Sequence, residues 1–334
     1  MKLSPILRRL LWPTAASYGL AARLRVWLYR RGLLKQHRLR GVAISVGNLT
    51  VGGTGKTPMV QWIAGRLLDE GKRVGILTRG YKGSGAMSDE VALLQSRLGR
   101  RAHFGVGPDR FERGRMLERH GIEWFVLDDG FQHLRLARDA DILLLDSTDP
   151  FGGGWLLPAG PLREPRSALA RADIIVITRS EHAPALETVI RHHTSAPIFC
   201  AQTVLDAVLA HSPADAPSAI DWKGKKYFAF CGIGNPSAFS SDLRRWGFNL
   251  VGEQFFPDHH RYSQQDLDDL ARRASSSGAD ALVCTAKDMF NLPDVQSFTL
   301  PHHFCRISLA PSLPGQFWQM LMLIIARNRE RGRP

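Results

Sequence analysis

The residues best suited to chemistry lie in a glycine-rich segment that follows an apolar run and precedes apolar residues at helical spacing. Glycines let several backbone N–H groups point at one anion, and the start of a helix adds positive charge. The pattern is therefore typical of a phosphate-binding loop. Its predicted ATP-binding residues are Thr50, Val51, Gly52, Gly53, Thr54, Gly55, Lys56 and Thr57.

Lys56 and Thr57 carry the specific chemistry of this loop. The Lys56 ammonium is predicted to reach the β- and γ-phosphates, and the Thr57 hydroxyl to bind Mg²⁺. Thr50 stands where the usual pattern has glycine. The alternative is an ordinary strand-to-helix turn rich in small residues, but such a turn has no need of Lys and Thr at its end. The sequence therefore predicts a protein that handles a nucleoside triphosphate.

Carboxylates occur at two further places where a parallel sheet would present them. Asp128 ends the apolar run 124–127, as in a Walker B motif, in which a buried strand delivers a carboxylate to Mg²⁺. Asp89 and Glu90 follow a glycine-rich turn at residues 80–85. They either stabilise a helix dipole after Ser88, or one binds Mg²⁺ while the other takes a proton from an acceptor hydroxyl.

Three other short patterns are less specific. Asp258 and His259 lie in a polar loop, where a histidine could serve as an acid–base partner. Gly232 and Gly234 resemble a dinucleotide fingerprint without its third glycine, so we interpret them as a structural turn. Residues 285–288 approach a guanine-reading motif in the wrong register, which weakens a GTPase interpretation.

Positive charge is concentrated at the start of the chain. The net charge of the 334 residues is +13, and residues 1–40 contain ten basic side chains and no acidic one. Apolar residues there recur at helical spacing, but the longest uncharged stretch is residues 10–22, shorter than the roughly 20 residues of a spanning helix. No signal-peptide cleavage pattern follows.

A basic amphipathic helix of this kind indicates binding to an anionic membrane surface. Two alternatives stay open, namely packing on the protein with the arginines in water and contact with nucleic acid. The second is disfavoured because the segment is rich in leucine, so no nucleic-acid partner is expected. The four cysteines are scattered, which fits a reducing cytosol.

The remaining pattern alternates strand and helix, with strands predicted at 73–78, 124–127, 141–145 and 173–178 and helices at 89–98 and 110–119. It predicts an α/β fold, a P-loop NTPase-like doubly wound parallel sheet with a second, smaller α/β domain. The predicted divisions are a membrane-associating segment 1–40, a kinase domain 41–205 onto which a helix at 312–330 returns, and a smaller domain 206–305.

Taken together, these motifs resemble the tetraacyldisaccharide 4′-kinase family, the lipid A 4′-kinases of Gram-negative bacteria. The matching segments are 45–58, 78–81, 88–90, 127–133, 157–164, 256–260 and 285–288. The resemblance implies Mg²⁺- and ATP-dependent transfer of the γ-phosphate to the 4′-hydroxyl of an acylated disaccharide 1-phosphate, giving lipid IVA. It also implies a peripheral protein at the cytoplasmic face of the inner membrane.

The resemblance also implies roles for individual residues. Lys56 and Arg163 would hold phosphates, and Asp89 would be the catalytic base, paired with His259. The implied metal ligands are Thr57, Glu90 and Asp128, and the implied supporting residues are Asp129, Gln132 and Asp258. Ala286 departs from the family pattern, in which an acid is frequent. The alternative function is a membrane-associated P-loop nucleotide switch without a lipid acceptor.

Overall fold

The computed structural model describes residues 4–80, 88–211, 217–293 and 299–332. The α-helices in chain order are α1 (Pro5–Arg30), α2 (Lys56–Asp69), α3 (Asp89–Leu98), α4 (Arg110–Arg119), α5 (Pro184–Arg191), α6 (Pro236–Arg245), α7 (Gln264–Ser276) and α8 (Pro314–Glu330). The strands are β1 (Val42–Asn48), β2 (Val74–Thr78), β3 (Ala102–Val106), β4 (Trp124–Asp128), β5 (Ala140–Asp146), β6 (Ile174–Thr178), β7 (Ile198–Ala210), β8 (Ser218–Ala219), β9 (Lys226–Cys231), β10 (Asn249–Phe255), β11 (Ala281–Thr285) and β12 (His302–Pro311).

The chain divides into two compact units. The first comprises Met1–Lys82, Leu98–Gln202 and Leu309–Pro334, and the second comprises Gly83–Arg97 and Thr203–Ser308. The predicted boundary at residues 205 and 206 groups the segment around Asp89 with the phosphate loop, whereas the structure groups this segment with the second unit. The reason is that the Asp89 side chain accepts hydrogen bonds from side chains of that unit. Most of the predicted glycine-rich turn at residues 80–85 lies outside the described residues.

The first unit contains a parallel sheet with the strand order β7-β6-β5-β1-β4-β2-β3. The chain leaves β1 toward β2 and β3, returns to β4 beside β1, and continues through β5 on the other side of β1. Parallel sheets of this kind bind ligands where the strand order reverses, at the carboxyl ends of the strands. The predicted P-loop NTPase-like doubly wound sheet is confirmed.

Burial explains why these segments form the sheet. Strands β1, β2, β5 and β6 are buried along their whole lengths, as expected for strands covered on both faces. Helix α2 buries residues spaced three and four apart, which form one stripe of a helix: Met59, Val60, Ile63, Ala64 and Leu67. Helix α8 belongs to the same unit, and its Trp318 indole donates a hydrogen bond of 2.7 Å to Glu70 at the end of α2.

The second unit has parallel strands in the order β10-β9-β11-β12, and β8 pairs with β7 in antiparallel fashion. Alternate residues of β9 enter two different apolar clusters, as a pleated strand requires. Phe228 and Phe230 pack with residues of α7, whereas Tyr227 and Ala229 pack with residues of α6. The predicted second α/β unit is present. Among the described residues, no helix combines the length and the apolar character that crossing a bilayer requires.

Two adjacent histidines of β12 make the second unit sensitive to acid. His302 and His303 are 3% and 4% exposed, and burial lowers their pKa from 6.5 to about 3 and about 4. Below about pH 6.5 the histidines are therefore protonated in the unfolded chain but stay neutral in the folded chain. The free energy of unfolding consequently falls as the pH falls. At pH 5 each histidine should cost about 2 kcal/mol of unfolding free energy.

Urea unfolding of His303→Leu and wild type between pH 8 and pH 5 tests this prediction. The variant should lose about 2 kcal/mol less than wild type over that range, because Leu carries no proton. Its packing changes affect both pH values equally and cancel in the difference. Parallel pH dependences of the two proteins would contradict the assignment.

Candidate active site

The phosphate loop joins β1 to α2 in the first unit. Gly52 and Gly55 have φ of 127° and 87°, conformations in which side chains are strained. Gly55 caps α2 without a side-chain hydrogen bond, so the first N–H groups of the helix have no side-chain acceptor at this position. The Lys56 ammonium donates to the Gly52 carbonyl at 3.3 Å. The loop therefore has the backbone freedom and positive charge that a phosphate requires.

Hydrogen bonds to neighbouring strands and loops hold this loop in place. The Thr178 hydroxyl at the end of β6 donates to the Thr54 carbonyl at 3.1 Å, and the Val51 N–H donates to the Pro161 carbonyl at 2.8 Å. Thr50 forms a β-bridge with Leu162 and has no positive φ. Because the φ of Thr50 is not positive, its backbone conformation does not require glycine, and threonine is tolerated where the usual pattern has glycine.

Asp128 and Asp129 follow one another at the carboxyl end of β4, next to β1. Asp128 is 2% exposed and is in register with Val46 of β1. Asp129 has φ of 50°, and its carbonyl accepts a hydrogen bond of 3.0 Å from the buried Arg110. Gly47 of β1 lets the segment after Asp129 pass close to this strand, because a Cβ on Gly47 would lie 2.5 Å from the Phe131 Cβ. The Walker B carboxylate thus lies at the strand end where the sequence predicted it.

Asp129 is paired with two cations of the predicted site. Its carboxylate lies 2.6 Å from Arg163 and 3.7 Å from Lys56. Burial raises the pKa of Asp129, but the charges of Lys56 and Arg163 outweigh it and leave this pKa below its usual value. The Gln132 amide donates to the Asn48 carbonyl at 3.0 Å, at the end of β1. In the first unit, Lys56, Asp129 and Arg163 therefore form one charged group.

The second unit holds another charged group, centred on Asp89. The Asp89 side chain is 5% exposed. One of its oxygens, Oδ2, lies 2.9 Å from His259 Nδ1, 3.3 Å from the Asn291 amide and 3.5 Å from the Lys287 ammonium. The other, Oδ1, accepts from the Glu90 N–H at 2.9 Å. The predicted pairing of Asp89 with His259 is therefore present, although 170 residues separate them in the chain.

The pKa shifts of this pair follow from these contacts. Burial raises the pKa of Asp89, but the hydrogen bond from His259 and the Lys287 charge outweigh it, so the net shift is downward. The hydrogen bond to Asp89 raises the pKa of His259 above 6.5, against the effect of burial. Asp89 is therefore held as a carboxylate, which is the form that can accept a proton.

His259 occupies an unusual backbone position. Its φ is 60°, and its N–H donates to the Gly232 carbonyl at 3.0 Å. A Cβ on Gly232 would lie 3.0 Å from the Pro257 carbonyl oxygen, so glycine permits this close approach. Asp258 lies 3.8 Å from His259 Nε2, on the side of the ring away from Asp89. Gly232 thus belongs to a structural turn, in agreement with the interpretation of its sequence.

The sequence interpretation missed the roles of Lys287 and Asn291 in the second group. Lys287 contacts Glu90 at 3.4 Å as well as Asp89, and its side chain is 19% exposed. The signal for Lys287 was its place in the segment 285–288, whereas Asn291 has no signal in a single sequence. Ala286 packs at the edge of an apolar cluster, so the structure gives it no polar contact in this group.

Oxygen donors suited to Mg²⁺ are present in the first unit. Asp128 is buried at the end of β4, and the half-buried Thr57 is the second residue of α2. Over the described ranges, no group of three or more His, Cys, Asp or Glu side chains could hold a metal by itself. Mg²⁺ usually takes one or two carboxylates and fills its shell with phosphate oxygens and water, so a carboxylate and a hydroxyl fit it.

A doubly wound parallel sheet with a phosphate loop, a Walker B carboxylate and a buried carboxylate bonded to a half-buried histidine defines a P-loop phosphotransferase. Comparison with known proteins identifies the family. The family described as tetraacyldisaccharide-1-P 4′-kinase matches residues 7–325. The chain belongs to this family.

Individual relatives agree with this assignment. The tetraacyldisaccharide 4′-kinase of Pelobacter propionicus is 42% identical over 306 residues, which cover 86% of this chain and 84% of that protein. The corresponding protein of Desulfotalea psychrophila is 36% identical over 321 residues, covering 87% and 90%. The crystal structure of the "apo" form of LpxK from Aquifex aeolicus in complex with ATP matches with a TM-score of 0.73 and 31% identity, covering 96% and 99%.

Proposed function

We propose that the chain is an ATP- and Mg²⁺-dependent kinase that transfers the γ-phosphate to the 4′-hydroxyl of an acylated disaccharide 1-phosphate. The observation that carries the proposal is that this family member has both a phosphate loop and a buried carboxylate, Asp89, bonded to the half-buried His259. A nucleotide switch needs no proton acceptor of this kind, whereas an alcohol acceptor does.

Each site residue has a part in this reaction. Lys56 and Arg163 neutralise phosphate charge, and Asp129 holds the two cations before nucleotide arrives. Gln132 supports the end of β1, and residues 50–57 bind the triphosphate through backbone N–H groups. Thr57, Asp128 and Glu90 would hold Mg²⁺, and the ion would neutralise the charge that develops on the transferred group.

The Asp89 carboxylate accepts the proton of the sugar hydroxyl, and His259 holds this carboxylate through the contact of its Nδ1 with Oδ2. A hydroxyl is a weak nucleophile until its proton is removed, and a positioned base contributes typically 10²–10⁴-fold. Asp258 supports the far side of the imidazole ring at 3.8 Å. The domain organisation proposed with this function is a membrane-binding segment at 1–40, a nucleotide-binding unit and a smaller unit that contains Asp89 and His259.

Incubation with radiolabelled ATP and an acylated disaccharide 1-phosphate tests the proposal. The label should appear on the 4′-oxygen of the lipid, and ATP should be consumed in proportion to the acceptor added. A sample without Mg²⁺ and a sample with a 4′-deoxy acceptor are the controls, and neither should yield labelled lipid. ATP hydrolysis unaffected by the acceptor would instead indicate a nucleotide switch.

We further propose that α1 binds the membrane that carries this substrate. Ile6, Leu10 and Leu20 are 74%, 72% and 67% exposed, and Leu24 and Trp27 are about half exposed. Because successive helical residues are rotated by about 100°, these five lie along one side of α1.

The opposite side of α1 is the side that packs on the protein. It contains the buried residues Ala15 and Gly19, and Gly19 lies against the Leu156 side chain. Arg9, Arg23 and Arg25 are exposed beside the apolar stripe. A helix that packed on the protein for stability alone would turn its leucines inward, so the outward stripe supports an interfacial helix on an anionic surface. A peripheral position at the cytoplasmic face of the inner membrane follows from this and from the use of ATP.

Four substitutions on the outward stripe test membrane binding without removing the packed face. The variant carrying Ile6→Gln, Leu10→Gln, Leu20→Gln and Leu24→Gln should lose about tenfold or more in affinity for vesicles of anionic phospholipid. The control carries Leu313→Gln and Leu323→Gln, which are also exposed but lie outside α1. Cosedimentation measures binding, and circular dichroism verifies the helix. Equal binding of both variants to the vesicles would contradict the proposal.

A further inference from the structure

A buried carboxylate behind the Asp89 group is not part of the predicted chemistry. Asp288 is 1% exposed. Its Oδ1 accepts from the Gly232 N–H at 2.7 Å and from the Tyr262 hydroxyl at 2.8 Å. Its Oδ2 accepts from the Thr285 hydroxyl at 2.6 Å and from the Thr285 N–H at 3.2 Å. Four donors therefore meet at one carboxylate.

Two of these donors connect Asp288 to the loop that contains His259. The Gly232 carbonyl accepts the His259 N–H at 3.0 Å, so Asp288 fixes the peptide on one side of Gly232 while His259 is fixed from the other. Tyr262 ends the same loop and is 4% exposed. His259 has φ of 60°, a conformation that persists only where surrounding contacts impose it. The bonds to Asp288 supply such contacts at His259 itself, through Gly232, and at Tyr262.

The same carboxylate also begins the turn that bears the other two partners of Asp89. Lys287 precedes the 3₁₀ turn Asp288–Asn291, and Asn291 ends it. The Asn291 carbonyl accepts the Tyr262 N–H at 2.9 Å, which ties this turn to the His259 loop. Lys287 and Asn291 lie 3.5 and 3.3 Å from the Asp89 oxygen that His259 also contacts. Asp288 is thus bonded to both segments whose side chains converge on Asp89.

We propose that Asp288 is a positioning residue of the phosphotransfer site, which holds His259, Lys287 and Asn291 at hydrogen-bonding distance from Asp89. Only the expected loss of turnover rests on the proposed function, because the geometric part of the inference concerns His259 and Asp89 alone. Asp288 contacts no reacting atom, so its loss should misplace the catalytic base. ATP binding should not change, because the phosphate loop belongs to the first unit.

Asp288→Asn is the sharpest test, because it preserves shape and removes one acceptor. The amide nitrogen is a donor, and in either orientation it faces a backbone N–H, that of Gly232 or that of Thr285. Hydroxyl groups of Tyr262 and Thr285 can rotate, but a backbone N–H cannot accept. One of the two peptides must therefore move away.

We expect Asp288→Asn to lower kcat by roughly 10- to 100-fold, as misplacement of a catalytic group does, with KM for ATP within about twofold. The NMR-monitored pKa of His259, which the bond to Asp89 raises, should fall by about half a unit or more. Tyr262→Phe removes one donor but keeps the ring, so it should show the same changes in kcat and in the pKa of His259 to a smaller degree. It should also fold if Asp288→Asn does not.

Asp242→Asn is the matched control. Asp242 is a carboxylate of the same unit, 8% exposed, that lies on α6 and pairs with Arg245. It should lower Tm as Asp288→Asn does while kcat and the pKa of His259 stay at wild-type values. An unchanged His259 pKa in both Asp288→Asn and Tyr262→Phe, or equal kcat losses in the control, overturns the proposal. If wild type transfers no phosphate, the proposed function fails, and the NMR comparison still decides the role of Asp288.

Discussion

Asp89→Asn should lower kcat by about 10²–10⁴-fold while ATP still binds with nearly wild-type affinity. The amide cannot accept the hydroxyl proton, and in either orientation its nitrogen faces donors, which are the Glu90 N–H or the side chains that contact Oδ2. The P-loop residues of the first unit keep their contacts, so the loss belongs to the chemical step. Initial-rate kinetics with lipid acceptor, together with an equilibrium ATP-binding measurement, separate the two quantities.

The control for Asp89→Asn is Glu253→Gln, a carboxylate of the same unit that contacts Ser240 and Arg244. Its turnover should stay within about twofold of wild type. His259→Gln should have a smaller effect than Asp89→Asn, because Asn291 and Lys287 still hold the carboxylate. Turnover of Asp89→Asn within tenfold of wild type would remove this carboxylate from the mechanism.

Lys56→Met should weaken ATP binding and lower kcat, each by about 10²-fold or more, because one cation of the phosphate site is lost. The Lys56 side chain is 12% exposed and its ammonium contacts both Gly52 and Asp129. Without it, Asp129 keeps only Arg163 as an ion-pair partner of the site and brings negative charge toward the phosphates. Methionine keeps the length and the apolar stem, so packing of α2 is preserved.

Fluorescence-detected ATP binding and steady-state kinetics measure both effects of Lys56→Met. Lys72→Met is the control, since Lys72 lies over the Trp124 ring at 5.9 Å, away from the loop. The contrast with Asp89→Asn is diagnostic, because only the Lys56 variant should lose nucleotide affinity. Wild-type ATP affinity in Lys56→Met would show that the loop holds phosphate by backbone groups alone.

Much of the first unit was predictable because local signals agree there. The helix at 110–119 has the predicted bounds, and so does the helix at 89–98, most of which belongs to the second unit. The strands at 124–127 and 141–145 were placed to within a residue, because a strand buried on both faces forms a continuous apolar run. Strand β3 was missed because only Ala102 and Gly105 are buried in it and it includes the exposed His103, so it lacks such a run.

Strand β12 shows a different reason for failure. It begins with His302 and His303, and two adjacent histidines are typical of a polar loop. Both side chains are nevertheless buried. Their hydrogen-bonding partners, Cys284 and Tyr227, lie on other strands of the unit. A polar residue in a strand becomes acceptable only when a partner is supplied from elsewhere in the fold, and a single sequence does not contain that information.

The amino-acid sequence by itself determined the phosphate loop, the Walker B strand and the basic amphipathic start, because each depends on residues that are neighbours in the chain. It also indicated which residues form the Asp89–His259 pair, through family motifs. Only the tertiary structure decided that Lys287 and Asn291 contact Asp89 and that four donors meet at Asp288. Asn291 and Asp89 are 202 positions apart in the chain, and contacts between such distant segments depend on how the chain packs, which no local pattern of residues contains.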